Sequence, residues 1–225
     1  MPRKRLRAVL FGPQGSGKGT QGRMLSEDFG VPVIGSGELF RAEIHEKTAL
    51  GKLVKSYVDR GALVPDELVN AVVQKQLKAV PSDQGFLLDG YPRNVDQAMA
   101  LDAGVKLNLA IQLKISDEES VRRLLARLQC EECQSIFNLR ERPPVKKGIC
   151  DTCGHRLTAR ADDNEEAIRR RLEAYHFMTE PLASYYRQHG VLLAIKGEQP
   201  IMSLHEELIR KLGKLGFSLA KKKKL

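Results

Sequence analysis

A glycine-rich stretch near the start of the chain reads VLFGPQGSGKGTQ. Gly12, Gly17 and Lys18 fit the phosphate-binding pattern G-x-x-x-x-G-K, in which Ser or Thr usually comes next. Here Gly19 follows the lysine, and the hydroxyl comes one position later, at Thr20. Glycines let several backbone N–H groups face one anion, and the lysine adds a positive charge. The stretch therefore predicts a site for a nucleoside triphosphate.

The displaced hydroxyl also constrains the metal that accompanies such a nucleotide. In the usual register the residue after the lysine holds Mg²⁺ directly, and Gly19 has no side chain to do so. We expect Mg²⁺ to be held mainly by phosphate oxygens and water, a coordination that this ion accepts readily. Thr20 is then expected to hydrogen-bond a phosphate oxygen.

Four cysteines form a second chemical pattern, C-x2-C, sixteen residues, then C-x2-C: Cys130, Cys133, Cys150 and Cys153. This spacing is typical of a four-cysteine zinc site. Four thiolates would close the tetrahedral shell of a structural Zn²⁺. Two disulfides would suit a secreted protein better, while another metal or a redox role remains open. His155 is a weaker candidate ligand.

Strands that alternate with helices must position these groups. The predicted strands are RLRAVLFG, VPVIG, GFLLDG, LNLAIQLKI and VLLAIKG, and the predicted helices are 19–29, 37–48, 50–60, 65–79, 117–128, 164–188 and 200–212. This alternation predicts an α/β fold with a parallel sheet covered on both faces. Residues 129–160 interrupt the alternation and predict a small inserted subdomain.

Composition excludes several classes of protein. The chain has 225 residues, 42% hydrophobic and 29% charged, which suits a globular protein of one large domain or of one domain with inserts. No apolar run reaches the roughly 18 residues of a membrane span, and the first apolar run is too short for a signal peptide. We therefore expect no membrane association and a cytoplasmic location.

The formal charge of +9 is concentrated at the two ends. Four cations precede the first strand and four lysines, 221–224, lie at the other end; without these eight, 29 basic residues face 28 acidic ones. A nearly neutral body argues against a nucleic-acid partner. A solvated lysine tail is the simplest interpretation, and a tail that binds RNA or anionic lipid remains open.

Four segments, GPQGSGKGTQ, GSGELFR, GFLLDGYPR and ARADDNEEAIRRRLEAYH, resemble the signature segments of adenylate kinases, in that family's order. The resemblance runs from about residue 6 to 213, and residues 129–160 resemble the long metal-binding lid of many bacterial members. It implies a core P-loop domain of residues 1–35, 65–128 and 161–220, a helical AMP-binding subdomain of 36–64, a zinc-binding lid of 129–160 and a basic tail of 221–225.

The same resemblance implies the substrates and the residues that bind them. ATP would contact Gly15, Ser16, Gly17, Lys18, Gly19, Thr20, Arg123, Arg127, Ile136, Phe137 and Gln199. AMP would contact Ser36, Arg41, Ala62, Leu63, Val64, Gly90, Tyr91, Pro92, Arg93, Gln97, Arg160 and Arg171. The implied catalytic residues are Lys18, Arg93, Arg127, Arg160 and Arg171. Asp89 would hold Mg²⁺ through water.

Details of the pattern differ from the family's commonest form. Ser36 stands where Thr is more frequent, and Ile136 and Phe137 stand where Thr or Val and Tyr are frequent, so a contact that needs the Tyr hydroxyl is lost. Asp162 and Asp163 resemble a pair that helps hold the closed lid; they equally suit the N-terminus of a helix.

The resemblance implies reversible Mg²⁺-dependent transfer, ATP + AMP = 2 ADP, by a monomer that maintains adenine nucleotide levels. The phosphate of AMP is already an anion, so no general base is expected, and phosphoryl transfer mainly needs alignment and charge neutralisation. Arg123 and Arg127, four apart on one predicted helix, would share a face.

Other functions remain alternatives at this point. A kinase for UMP, CMP or GMP is one, although the long lid and Gln97 favour AMP. A zinc-ribbon nucleic-acid binder that uses ATP is another, and the neutral body argues against it. A GTPase would need an N-K-x-D motif, which the sequence lacks.

Overall fold

Five strands of the computed structural model, which describes residues 4–59, 64–160 and 162–220, form one parallel sheet. The described residues contain eight strands in all: β1 (Arg7–Phe11), β2 (Val33–Gly35), β3 (Phe86–Asp89), β4 (Leu109–Lys114), β5 (Arg127–Cys130), β6 (Ile136–Asn138), β7 (Leu157–Thr158) and β8 (Leu192–Lys196). The large sheet has the order β2-β3-β1-β4-β8, and every neighbouring pair in it is parallel. The predicted parallel sheet is confirmed.

Helices cover both faces of this sheet. They are α1 (Lys18–Phe29), α2 (Ser36–His45), α3 (Ala49–Asp59), α4 (Asp66–Ala79), α5 (Val95–Asp102), α6 (Asp117–Leu125), α7 (Glu165–Ala174), α8 (Leu182–Gln188) and α9 (Ile201–Lys214). Val9 packs with residues of α4, α5 and α8 in one core cluster, whereas Leu10 packs with residues of α1 and α9 in the other. Burial on both faces explains why the strands read as continuous apolar runs.

The order of the sheet brings the ends of β1, β2 and β3 together. Leu10 of β1 pairs with Asp89, and Gly35 of β2 pairs with the same residue. Ligands of open α/β sheets bind beyond the carboxyl ends of the strands. The loop after β1 and the residues after β2 and β3 therefore lie side by side at that edge.

One predicted helix is divided in the structure, and one helix of the structure was not predicted. The segment 164–188 is divided into α7, a π-helical turn Tyr175–Thr179, and α8. In the turn the N–H of Glu180 bonds to the carbonyl of Tyr175, and Pro181, which has no N–H to donate, precedes α8. Helix α5 was not predicted; the side chain of Asn94 caps it by accepting from the N–H of Gln97.

The predicted helix 117–128 was too long, because α6 ends at Leu125 and Arg127 begins β5. Arg123 and Arg127 therefore do not share a helix face, contrary to the prediction. Residues 127–129 pair antiparallel with 136–138 instead. Cys130 is fully buried in the small core that this pairing covers, so tertiary packing replaces the last helical turn.

A second, three-stranded sheet with the order β6-β5-β7 lies within the inserted segment. Its small core consists of Cys130, Phe137, Cys150 and Leu157. The α/β fold with an insert that carries the cysteines is thus confirmed. Among the described residues, no helix is both long enough and apolar enough to cross a membrane.

Candidate active site

The loop between β1 and α1 forms a concave backbone surface. Gly12 has φ 152°, and a Cβ there would lie 2.3 Å from the carbonyl oxygen of Leu113, so only glycine allows the loop to pack on β4. Gly17, with φ 92°, caps α1, and a Cβ there would meet nothing within 4 Å. The N-terminus of α1 therefore faces open space, where its unpaired N–H groups favour an anion.

Lys18 is folded back into this concavity. Its Nζ donates to the carbonyl oxygens of Gly12 and Pro13, at 2.7 Å and 2.8 Å. Burial lowers the pKa of Lys18 to about 8, and the negative charge of Asp89 opposes this shift. The ammonium thus occupies a position from which it can exchange carbonyl oxygens for phosphate oxygens.

Asp89 ends β3 next to the phosphate loop. Burial raises the pKa of its carboxyl group, and Lys18 opposes that effect. A Cβ at Gly19 would lie 3.8 Å from Oδ2 of Asp89. A hydroxyl-bearing side chain in the usual register would therefore lie beside this carboxylate, and its replacement by glycine leaves room there. A carboxylate beside such room fits the hydrated Mg²⁺ that usually accompanies ATP.

Ser36 and Arg93 meet at Gly90, beyond the ends of β2 and β3. The hydroxyl of Ser36 donates to the carbonyl of Gly90 at 2.8 Å, and Nε of Arg93 donates to the same oxygen at 2.9 Å. Gly90 has φ 71°, a left-handed conformation that favours glycine. The side chain of Arg93 is exposed, but the protein around it is dense enough that burial lowers its pKa.

Tyr91, Pro92 and Gln97 are buried beneath this segment. The phenol of Tyr91 donates to Oδ1 of Asn70 at 2.6 Å, so it anchors the segment to α4. The side-chain amide of Gln97 is already hydrogen-bonded to the backbone N–H of Arg93 and to Asp66. Any contact of Gln97 with a base uses the hydrogen-bonding capacity that remains.

Three arginines converge on Asp162 and Asp163. Arg127 donates from Nε and Nη2 to the two carboxylate oxygens of Asp163, both at 2.7 Å. Nη1 of Arg171 donates to Asp162 at 2.8 Å and its Nη2 to Asp163 at 3.0 Å, while Nε of Arg160 lies 3.3 Å from Asp162. Burial would raise the pKa of Asp163, but the bonds from Arg127 and Arg171 outweigh it and the pKa falls.

Arg123 is fixed at the rim of the phosphate loop by a different acid. Its Nε pairs with Glu119 at 2.6 Å, and its Nη1 and Nη2 donate to the carbonyls of Gly15 and Gly197. The guanidinium thus joins the loop after β1 to the loop after β8. Ser16 is fully buried within the first of these loops.

One cleft of about 300 Å³ joins the phosphate loop to the inserted segment. Its lining includes Gly15, Ser16, Gly17, Lys18, Gly19, Thr20, Arg41, Asp89, Arg123, Arg127, Ile136, Phe137 and Gln199. Val64 is half-buried against the main core, and Ala62 and Leu63 lie outside the described residues. All eleven predicted ATP-binding residues therefore line this cleft.

The side chains of Phe137 and Gln199, which line the cleft, are both held by contacts within the protein. The ring of Phe137 is 1% exposed in the core of the insert, and Cζ of Arg142 lies 5.3 Å from its centroid. Little of the ring is thus available to a base in this conformation. The Gln199 side chain donates to Lys196 and Glu207, which fixes the chain just before α9.

The four cysteines lie together, and they form no disulfide. Their sulfur atoms are all within 4.8 Å of one another, with 3.4 Å between Cys130 and Cys153 and 3.5 Å between Cys133 and Cys150. A tetrahedral shell with Zn–S distances of about 2.3 Å would need sulfurs about 3.8 Å apart. The cluster is therefore suited to a metal ion. His155 instead directs Nδ1 toward the carbonyl of Cys153.

Comparison with known proteins decides the family. Residues 10–191 match the adenylate kinase family. The chain is 45% identical over 202 residues to an adenylate kinase of Streptomyces avermitilis, with 87% of this chain and 92% of that protein covered. It belongs to the adenylate kinase family. An adenylate kinase of Caldicellulosiruptor saccharolyticus is 41% identical, with 92% and 99% covered, and one of Methanosarcina barkeri is 40% identical, with 89% and 95% covered.

Membership of the adenylate kinase family confirms the predicted enzyme class, a nucleoside monophosphate kinase with a phosphate loop. Nothing in the comparisons favours a UMP, CMP or GMP kinase, a nucleic-acid-binding ATPase or a GTPase.

Some cleft residues of this family member were not predicted from the sequence. Gln14, Glu38, Asn138, Glu141 and Arg142 also line the cleft. The spacing of Glu119 and Arg123 could have predicted their ion pair, because Glu119 lies four residues earlier on the same helix. No sequence pattern indicated Arg142 and Glu141, because their position in the cleft depends on how the insert folds back onto it.

Proposed function

We propose that the chain transfers the γ-phosphoryl group of ATP to the phosphate of AMP, reversibly, in the cleft between the phosphate loop and the arginines around Asp163. The bond from the γ-phosphorus to the β,γ-bridging oxygen breaks, and a bond to an oxygen of AMP forms, so that two ADP result. The observation that carries the proposal is the proximity of five cations: the charges of Arg93 and Arg127 are close enough to lower the pKa of Lys18, while Arg160 lies near Arg127 and Arg171 shares Asp163 with it.

The phosphate loop would hold the triphosphate. Backbone N–H groups at the start of α1 face open space beside Gly17, and Lys18 would exchange the carbonyls of Gly12 and Pro13 for phosphate oxygens. The Thr20 hydroxyl, on the first turn of α1, would add one hydrogen bond. Arg123 would neutralise charge at the rim, and Gln199, Ile136 and Phe137 would border the ATP base.

The segment around Gly90 would hold AMP. Arg41 and Arg93 suit a phosphate monoester, because a guanidinium can donate two parallel hydrogen bonds. Ser36 would support them through Gly90, and Tyr91 and Pro92 would form the buried base of the segment. Val64, with Ala62 and Leu63, would line the pocket for the base, and Gln97 would read its edge.

Arg127, Arg160 and Arg171 would act on the phosphoryl group in transfer. Asp162 and Asp163 direct their charges, so the protein itself holds the three guanidinium groups in place. Preorganised charge of this kind stabilises the charge that develops in the transition state. No base is needed, because the attacking AMP phosphate is already an anion.

Mg²⁺ would neutralise charge on the β- and γ-phosphates when it is bound. Asp89 would hold it through water, in the room beside Gly19. Four cysteine thiolates would hold a structural Zn²⁺ that stabilises the insert, whose apolar core is small. Asp89 would thus serve only the Mg²⁺, and the four cysteines only the Zn²⁺.

The proposed domains are a core of 1–35, 65–128 and 161–220, an AMP-binding subdomain of 36–64, a lid of 129–160 and a tail of 221–225. We further propose a monomer that works in the cytoplasm, where thiols stay reduced and available to a metal. ATP, AMP and ADP would be its partners, without an obligatory nucleic acid or membrane.

A nucleotide panel tests the reaction. With ATP and Mg²⁺ present, ADP formation with AMP should exceed formation with CMP, UMP or GMP by at least about a hundredfold, because an unpaired polar group in a base pocket is costly. Equal rates with all four acceptors, or hydrolysis of ATP without an acceptor, would contradict the proposal.

A further inference from the structure

The side-chain amide of Gln97 belongs to a ring of hydrogen bonds. Its Nε2 donates to Oδ1 of Asp66 at 2.6 Å, and its Oε1 accepts from the backbone N–H of Arg93 at 2.7 Å. Oδ2 of Asp66 accepts from Nδ2 of Asn94 at 2.7 Å, and Oδ1 of Asn94 accepts from the backbone N–H of Gln97. Gln97 is 3% exposed, so water cannot substitute freely for these partners.

This ring of hydrogen bonds determines the orientation of the Gln97 side-chain amide, with its oxygen toward Arg93 and its nitrogen toward Asp66. An inverted Gln97 would bring Oε1 against the carboxylate of Asp66 and Nε2 against the N–H of Arg93. Two acceptors would then face each other, and so would two donors. Asp66 cannot adapt, because a carboxylate accepts hydrogen bonds and donates none, and Asn94 is held by its role as the cap of α5.

We propose that Asp66 is a specificity-determining residue, which acts by holding the amide of Gln97 in the one orientation that pairs with adenine. This inference rests on the proposed function, in which Gln97 reads the base of AMP. Asp66 touches no substrate in this account; it is a positioning residue at the first turn of α4.

The hydrogen-bonding capacity that remains on Gln97 has a defined direction. A primary amide has two N–H donors and two oxygen lone pairs, and the ring uses one of each. The free oxygen lone pair can accept from the 6-amino group of adenine, while the free N–H donates to a ring nitrogen. Inosine monophosphate (IMP) has a carbonyl in place of that amino group and N–H in place of bare N1. It therefore needs the inverted amide, which Asp66 forbids.

Replacement of Asp66 by Asn tests this directly, since the new amide can donate as well as accept. We expect the ratio of kcat/KM for AMP to kcat/KM for IMP to fall roughly tenfold, the size of one hydrogen bond to a charged group. The KM for ATP should stay unchanged. Asp96→Asn is the matched control, because Asp96 lies exposed on the first turn of α5, and it should leave the ratio at the wild-type value.

A double-variant cycle separates positioning from loss of structure. In a Gln97→Ala background, Asp66→Asn should produce no further change in the AMP to IMP ratio. An equal further fall there, or an unchanged ratio in a folded Asp66→Asn single variant, would overturn the proposal.

A measurement on the unaltered protein covers the case in which Asp66→Asn does not fold. An NMR scalar coupling across the hydrogen bond from Gln97 Nε2 to the Asp66 carboxylate should persist in the AMP complex, and its loss there would contradict the proposal. If the wild-type enzyme formed no ADP from ATP and AMP, the proposed function would fail instead.

Discussion

Arg127 and Asp163 form a two-pronged ion pair, in which Nε and Nη2 each lie 2.7 Å from a different carboxylate oxygen. The carboxylate is almost fully buried, with 2% of its side chain exposed. Asp163 also accepts from Arg171, so one acid orients two of the arginines proposed to contact the transferred group. Arg127 begins β5, the first strand of the small sheet, and this pair therefore connects that strand to the segment that follows β7.

Asp163→Asn should weaken both binding and stability, because it leaves two guanidinium groups without their shared charged partner. We expect the free energy of unfolding to fall by about 1–3 kcal/mol and kcat/KM to fall at least about tenfold. Asp162→Asn is the matched control, since its side chain is 51% exposed and exposed pairs contribute at most about 1 kcal/mol. Equal losses in the two variants, measured by urea unfolding and initial rates, would contradict this ranking.

The lowered pKa of Lys18 predicts a pH dependence of ATP binding. Burial brings this pKa to about 8, below the ordinary value of 10.5. The ammonium is charged below that pH and loses its charge as pH rises through it, so ATP affinity should fall between about pH 8 and pH 10. The free energy of unfolding should rise over the same pH range, because the unfolded state then binds more protons than the folded state.

Lys18→Met is the control for that titration. Its ATP affinity, measured by calorimetry, should be low and nearly independent of pH over the same range. A wild-type affinity that stays constant to about pH 10 would show that Lys18 remains charged or does not bind the nucleotide.

Much of the fold followed from sequence, and the failures have physical causes. The five strands of the main sheet are short, mostly apolar runs, which their length and the turn residues around them reveal. β5, β6 and β7 have only two to four residues each, and their pairing depends on the cysteine core. The Asp66–Gln97 bond spans 31 positions, and no local pattern indicates such a contact.

Gly19→Ser restores the common register of the phosphate loop. The new side chain can be accommodated, because the Cβ meets only Oδ2 of Asp89, at an ordinary 3.8 Å. We expect an unchanged or slightly higher Tm, since Ser favours a helix over Gly by about 0.5 kcal/mol. The Mg²⁺ concentration for half-maximal activity should shift about tenfold, as the hydroxyl enters the space beside Asp89. A Tm that falls by many degrees, or an unaltered Mg²⁺ titration, would contradict this account of the displaced hydroxyl.

The cysteine cluster predicts about one zinc per chain. Removal of the metal with a chelator should expose residues 127–158 to protease well before the main sheet, because that segment has its own small core. Cys133→Ser should reduce bound metal strongly, whereas Val145→Ser, at a position that is 94% exposed, should not. Metal analysis that finds none in a protein with four reduced thiols would rule the site out.

The most direct test of the central claim is ADP formation from ATP, AMP and Mg²⁺ by wild type and Arg93→Ala. We expect rapid ADP formation by the wild type and a loss of roughly a hundredfold or more in the variant, with an intact fold by circular dichroism. Arg187→Ala, at an exposed position of α8, should retain full activity. A folded Arg93→Ala enzyme with wild-type kcat/KM for AMP would contradict the account.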